Sequence, residues 1–190
     1  MRIISGKYKN KKLHFPINLK TRPLKDSVRE NIFNILIHSN NINTEMKNSC
    51  VLDLYAGTGS FGLECISREA SKVFFVENDL NALVNLKKNI TNLNSEKRTA
   101  LFSQDVSEFF NNLNLETYKE KFNILFLDPP YKNKKCLEII KIIKEKNIMN
   151  KKHILVIHRE INSERDLIKN INIIENRVYG RSEIFFGRFF

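Results

Sequence analysis

The residues able to do chemistry cluster in a few short stretches. The first, DLYAGTGSFG, runs from Asp53 to Gly62 and places Gly57, Gly59 and Gly62 as G-x-G-x-x-G. A glycine-rich turn between a strand and a helix lets backbone approach a ligand closely, and this spacing is shared by dinucleotide-binding loops. A nucleoside triphosphate fits poorly. Gly57 and Gly62 have the separation of a phosphate loop, but Leu63-Glu64 stands where Lys-Ser/Thr would contact phosphate. Glu77 follows Gly57 by about twenty positions, where an acidic side chain binds ribose hydroxyls. NAD and S-adenosylmethionine satisfy that residue equally. Asp53 separates them in part: before the loop it would face the pyrophosphate of NAD, anion against anion, whereas an ammonium beside a sulfonium would favour it. Its plainer role is an N-terminal cap of the loop.

The second stretch is Asp128-Pro129-Pro130-Tyr131. Two prolines make the turn rigid and fix the direction of the preceding carbonyls. Asp128 and the Pro129 carbonyl can then accept both hydrogens of an exocyclic amine on a nucleobase. Such an amine is a poor nucleophile, because its lone pair is delocalised into the ring. Holding both hydrogens, with a carboxylate near a nitrogen that becomes positive, stabilises the geometry of transfer. Tyr131 offers a ring face for a flipped base, typically worth about 1–3 kcal/mol. In isolation a proline turn with a buried tyrosine is an equal alternative. Its position, three βα units after the glycine loop, favours a site.

These residues need elements to position them, and hydrophobic patterning supplies the elements. CVLDLY, KVFFVE, TALFSQD, FNILFLD and HILVIHRE read as strands, alternating with helical stretches. Between them lie SFGLECISREA, residues Asp79 to about Leu93, VSEFFNNL and KCLEIIKIIKEKN. INIIENRVY and SEIFFGRFF, separated by Gly180, read as an antiparallel pair closing the sheet. Upstream, Val28, Ile32, Ile35 and Leu36 repeat at helical spacing, and Ser27-x-x-Glu30 has the form of a capping box. Alternating β and α units with continuous apolar strands predict a mostly parallel, seven-stranded sheet of Rossmann-like α/β type, with an antiparallel C-terminal strand and helices on both faces. Ligands of such sheets bind at the carboxyl ends of the strands, where the notable polar residues stand. Residues 1–24 are expected to form a small basic β-hairpin extension, and 25–190 one compact domain.

The chain has 190 residues, enough for one well-buried α/β domain, and its 42% hydrophobic content argues against wholesale disorder. No apolar run approaches a membrane helix and the N-terminus lacks a signal-peptide core, so a soluble, cytoplasmic protein is expected. The formal charge of +11 reflects in part a general abundance of lysine, but the excess is concentrated. Lys7, Lys9, Lys11, Lys12, Lys20, Arg22 and Lys25 lie between Arg2 and Arg29, opposed only by Asp26. Such a stretch suits a polyanion such as nucleic acid. Cys50, Cys65 and Cys136 are far apart, and His14, His38, His153 and His158 have no metal-ligand spacing, so reduced thiols and no metal are expected.

D-x-x-A-G-x-G, an acidic end to the second strand, Asp105 after the third and D-P-P-Y after the fourth resemble the class I S-adenosylmethionine-dependent methyltransferases, specifically those that methylate exocyclic amines of bases. RIISGKYKNKKL followed by TRPLKDSVRENIFNIL narrows the resemblance to the RsmD family, which methylates guanine N2 in bacterial 16S ribosomal RNA. It extends from Arg2 to about Phe190; Leu24, where the family commonly has Thr, is a departure that removes a hydroxyl. The resemblance implies that Asp53 and the Gly57–Gly59 backbone hold the methionine portion of the cofactor, Glu77 the ribose, and Asp105 with the Val106 amide the adenine, with Tyr55, Ala56 and Asn78 also among the cofactor-binding residues. It implies a target-amine site at Asp128, Pro129, Pro130 and Tyr131, with 16S rRNA as partner, free or in an assembling small subunit, and a monomeric protein. Arg22 and Arg29 are the foremost candidates for RNA or active-site contacts, with Lys7 and Lys12 behind them. An adenine-N6 methylase, a catalytically inert RNA-binding module and an NAD oxidoreductase are the competing readings. The glycine loop favours the last, whereas Asp53 and the second site oppose it.

Overall fold

The computed structural model describes residues 1–16, 24–42, 44–113, 120–130, 135–161 and 170–190. Its elements, in chain order, are α1 (Asp26–His38), β1 (Cys50–Leu54), α2 (Ser60–Ser67), β2 (Lys72–Glu77), α3 (Leu80–Asn92), a short 3-10 turn (Glu96–Arg98), β3 (Thr99–Ser103), α4 (Val106–Asn112), β4 (Phe122–Leu127), α5 (Cys136–Glu145), β5 (Met149–Glu160), β6 (Asn172–Tyr179) and β7 (Ser182–Arg188). The seven strands form one sheet in the order β3-β2-β1-β4-β5-β7-β6. Strands β1 to β5 run parallel to one another, and β7 runs antiparallel between β5 and β6. Chain order reverses between β1 and β4, which opens a crevice at their carboxyl ends.

Alternation along the strands sorts apolar side chains onto two faces. Val51, Val73, Phe75, Ile124, Phe126 and Val156 pack with Ile32 and Phe33 of α1, Phe61 and Leu63 of α2, and Leu86 and Ile90 of α3. Leu52, Leu54, Phe74, Val76, Leu125, Leu127, Leu155 and Ile157 pack with Phe109 and Phe110 of α4 and Ile139, Ile140 and Ile143 of α5. Both faces are therefore covered, as the continuous apolar strands require.

The basic N-terminal segment is docked on the first face. Arg2 and Lys12 form an antiparallel bridge, and Ile3 and Leu13 are buried in the same cluster as α1 and α2. The fully buried Glu64 of α2 accepts hydrogen bonds from the backbone N–H of Ile4 (2.7 Å) and of Ser5 (2.9 Å), and from Arg68 Nε (2.8 Å). The lysine heads stay outside: Lys7, Lys9, Lys11 and Lys12 are exposed.

Two local expectations are corrected. Ser27 and Glu30 form no capping box, because α1 starts two residues earlier: Lys25 is the N-cap residue, without a side-chain cap, and Asp26 puts the negative charge in the first turn. Arg29 is no surface contact for RNA. It is 0% exposed, and its Nη2 donates to the Arg2 carbonyl and to Asp26 Oδ1 (3.0 Å). Burial holds its guanidinium below the usual arginine range, against the raising influence of Asp26 and Glu64. The residue joins α1 to the N-terminal segment. Arg22 lies outside the described residues.

Candidate active site

The crevice is built from the ends of β1, β2 and β4. After Leu54 the backbone turns sharply: Tyr55 and Gly57 take positive φ (58° and 57°), and Gly59 at 83° is the N-cap residue of α2. A side chain on Gly62 would meet Phe75 Cε1 at 2.3 Å and Val73 Cγ1 at 2.7 Å, so this glycine lets α2 sit against the sheet. A Cβ on Gly57 would meet nothing within 4 Å, which leaves that backbone open to a ligand.

Glu77 organises the loop. Its Oε2 accepts from the Gly57 N–H (2.7 Å), and its Oε1 accepts from the Asn78 and Asp79 N–H groups (both 2.8 Å). A carboxylate has about four lone-pair sites, so three bonds leave room for one ribose hydroxyl. Asp79 in turn caps α3 through the Ala82 N–H (2.8 Å).

Asp53 has two different oxygens. Oδ2 accepts from the Gly62 N–H (2.9 Å) in the first turn of α2, so the carboxyl caps the helix after the loop rather than the loop itself. Oδ1 is buried without a hydrogen-bond partner. Burial pushes this carboxyl well above the usual carboxylate range, the Gly62 bond opposes that, and the charges of Asp128 and Glu77 push it further up. Asp53 thus senses two other acids across the crevice. A pyrophosphate entering here would meet a buried carboxyl and two further acids, whereas a cation with an ammonium donor would satisfy the orphan oxygen. The donor set therefore fits the cationic methionine end of S-adenosylmethionine.

Asp105 stands apart, at the end of β3, where its Oδ1 caps α4 through the Ser107 N–H (2.8 Å) and Val106 is buried beside it. At the end of β4, the Asp128 N–H lies 3.5 Å from the Leu54 carbonyl, tying the two strand ends together. Asp128 Oδ1 lies 2.7 Å from His158 Nδ1, and Arg159 Nη1 makes a long contact (3.5 Å) to the Pro129 carbonyl. Tyr131 lies outside the described residues.

Three residues at the site were not anticipated. His158 and Arg159 close β5, and both are buried. The signal was present: HRE follows the apolar run ILVI, as Asp53 and Glu77 follow theirs. Asn89 of α3, fully buried, donates from Nδ2 to the Thr58 carbonyl (3.0 Å) and the His14 carbonyl (3.1 Å), and accepts from the His14 N–H (2.6 Å). It links the glycine loop to the N-terminal segment, and nothing in its sequence neighbourhood marked it.

Comparison with known proteins agrees with this geometry. Residues 1–188 match the family model described as conserved hypothetical protein 95. An uncharacterized methylase of Rickettsia prowazekii is 30% identical, over 100% of this chain and 98% of that protein. The ribosomal RNA small subunit methyltransferase D of Haemophilus influenzae is 29% identical, over 95% of this chain and 89% of that protein. Among solved structures, the "putative methyltransferase yhhF" of Escherichia coli superposes with a TM-score of 0.83 at 25% identity, covering 99% of this chain and 97% of that one. The chain belongs to the conserved hypothetical protein 95 family, that of the RsmD methyltransferases.

Proposed function

We propose that this protein transfers a methyl group from S-adenosylmethionine to the exocyclic N2 amine of a guanine in 16S ribosomal RNA. The observation that carries the reading is the placement of Asp128 at the switch point, where its N–H lies 3.5 Å from the Leu54 carbonyl and its charge is felt at Asp53. Bound S-adenosylmethionine supplies an electrophilic methyl on a positive sulfur. Asp53 Oδ1 would receive its ammonium, the Gly57–Gly59 backbone with Tyr55 and Ala56 would enclose the methionine portion, Glu77 and Asn78 would hold the ribose, and Asp105 with the Val106 amide would meet the adenine. Asp128 and the Pro129 carbonyl accept the two hydrogens of the guanine amine, Pro130 keeps the turn rigid, and Tyr131 offers the stacking face. The cofactor would supply the methyl to the amine lone pair while the C–S electron pair stays on sulfur, and the one proton set free from the nitrogen would pass to solvent.

Exposed Lys7 and Lys12, with Arg22, bind RNA phosphates, so affinity should fall with salt. The protein acts as a cytoplasmic monomer on rRNA, free or in an assembling subunit. No helix among the described residues is long and apolar enough to cross a membrane. Mass spectrometry of nuclease-digested rRNA, after incubation with the protein and labelled cofactor, tests the proposal. N2-methylguanosine is the expected product; N6-methyladenosine would replace guanine by adenine as the target.

A further inference from the structure

Asp128 needs help to hold its orientation. Pro129 restricts the backbone before it to extended conformations but leaves the carboxylate free to turn. The charge of Asp128 is felt at Asp53, so the two side chains are neighbours in the crevice, and nothing in the turn itself keeps the Asp128 carboxylate from rotating outward. Its side chain is 25% accessible and has room to do so.

His158 opposes that motion. Leu127 of β4 pairs with Ile157 of β5 in parallel register, which places Asp128 and His158 side by side, one step beyond. The ring is 7% exposed, and its Nδ1 lies 2.7 Å from Asp128 Oδ1. A carboxylate oxygen only accepts, so Nδ1 carries the proton and donates it. With Oδ1 occupied, Oδ2 is the oxygen left for the substrate amine.

We infer that His158 is a positioning residue for methyl transfer, fixing the Asp128 carboxylate so that one oxygen faces the incoming nucleobase amine. The inference rests on the amine-methylation reading above. It goes beyond that reading in assigning the geometry of Asp128 to a neighbouring strand rather than to the Asp-Pro-Pro turn. Arg159, beside it on β5, contacts the Pro129 carbonyl, so the same strand end touches both acceptors of the amine.

Two variants of the full-length protein separate positioning from packing. His158→Asn places an amide N–H near the position of Nδ1, whereas His158→Leu fills the space without a donor. Transfer is followed as total labelled methyl entering rRNA, so the ratio between variants is readable whichever nucleoside is modified. Product identity is scored separately and bears only on the proposed function. His158→Leu should lower kcat by about 10- to 100-fold, the scale of a misoriented catalytic group. Cofactor Kd should stay within about twofold and the melting midpoint within a few degrees. His158→Asn should recover most of the lost kcat.

Wild-type kcat in His158→Leu would overturn the inference, as would equal loss in the two variants at unchanged melting midpoint. A readout that needs no RNA completes the test. In the 15N-labelled wild type, the His158 Nδ1–H proton should resonate far downfield and lose that position in Asp128→Leu. Should His158→Leu fail to fold, this resonance and the Asn variant decide the matter, and absence of the Asp128-dependent shift would refute the contact.

Discussion

The two halves of the site are held together in different ways. At the ends of β1 and β2, acidic side chains grip backbone: Glu77 takes three main-chain N–H groups and Asp53 takes one. At the ends of β4 and β5, side chains grip each other, with His158 on Asp128, and a long contact runs from Arg159 to Pro129. The first half is a preformed cradle whose shape follows from the chain's own loops. The second depends on strand pairing to bring two side chains into register. A cradle of backbone suits a cofactor bound the same way every cycle. A turn braced from the next strand suits a target that must be presented in one orientation to a fixed methyl.

Breaking the halves separately should give opposite phenotypes. The largest effect is expected for Asp128→Ala, which should cut transfer by at least about 100-fold, the scale of losing one group that stabilises developing charge. Cofactor Kd from calorimetry should change little; equal loss of binding would show that Asp128 belongs to the cradle. Glu77→Ala should act the other way, weakening cofactor binding by about 10- to 100-fold through loss of charged hydrogen bonds. An unchanged Kd would remove Glu77 from the ribose site.

Smaller effects test the support beneath the cradle. Gly62→Ala forces a methyl against Phe75 and Val73, both fully buried, and should destabilise by about 1–3 kcal/mol. Denaturant melts measure this, and wild-type stability would show that α2 can move off the sheet.

Asp53→Asn should show its effect through pH. The folded carboxyl titrates above its unfolded value, so its contribution to stability is complete below the unfolded pKa of about 3.9. That contribution is lost as pH rises through the folded value. The unliganded Asn variant should therefore gain on the wild type in melting midpoint as pH rises from acid toward neutral, while binding cofactor about tenfold more weakly. A pH-independent difference would mean that Asp53 is not held neutral by its burial.

Much of this was legible in the residues. The strands ran where apolar runs predicted them, and the Gly180 turn joined an antiparallel pair. The cradle was readable because its parts are local: Asp53 and Gly62 lie within one turn-and-helix stretch, and acidic residues at strand ends stand out against apolar runs. Ser27 and Arg29 misled for a related reason. A helix start and an arginine's exposure both depend on what packs against them, and here the N-terminal segment covers α1.

Sequence alone determined the α/β alternation, the two-sided core and the identities of the acids, because these follow from periodicity and from the rarity of charge at strand ends. Tertiary structure alone decided that His158 meets Asp128 across 30 positions and that Asn89 meets Thr58 across 31. It also decided that one oxygen of Asp53 stays unpaired. Those contacts depend on which strands pair and in what register. That arrangement is set by burying both faces of the sheet at once, a property of the whole chain rather than of any stretch within it.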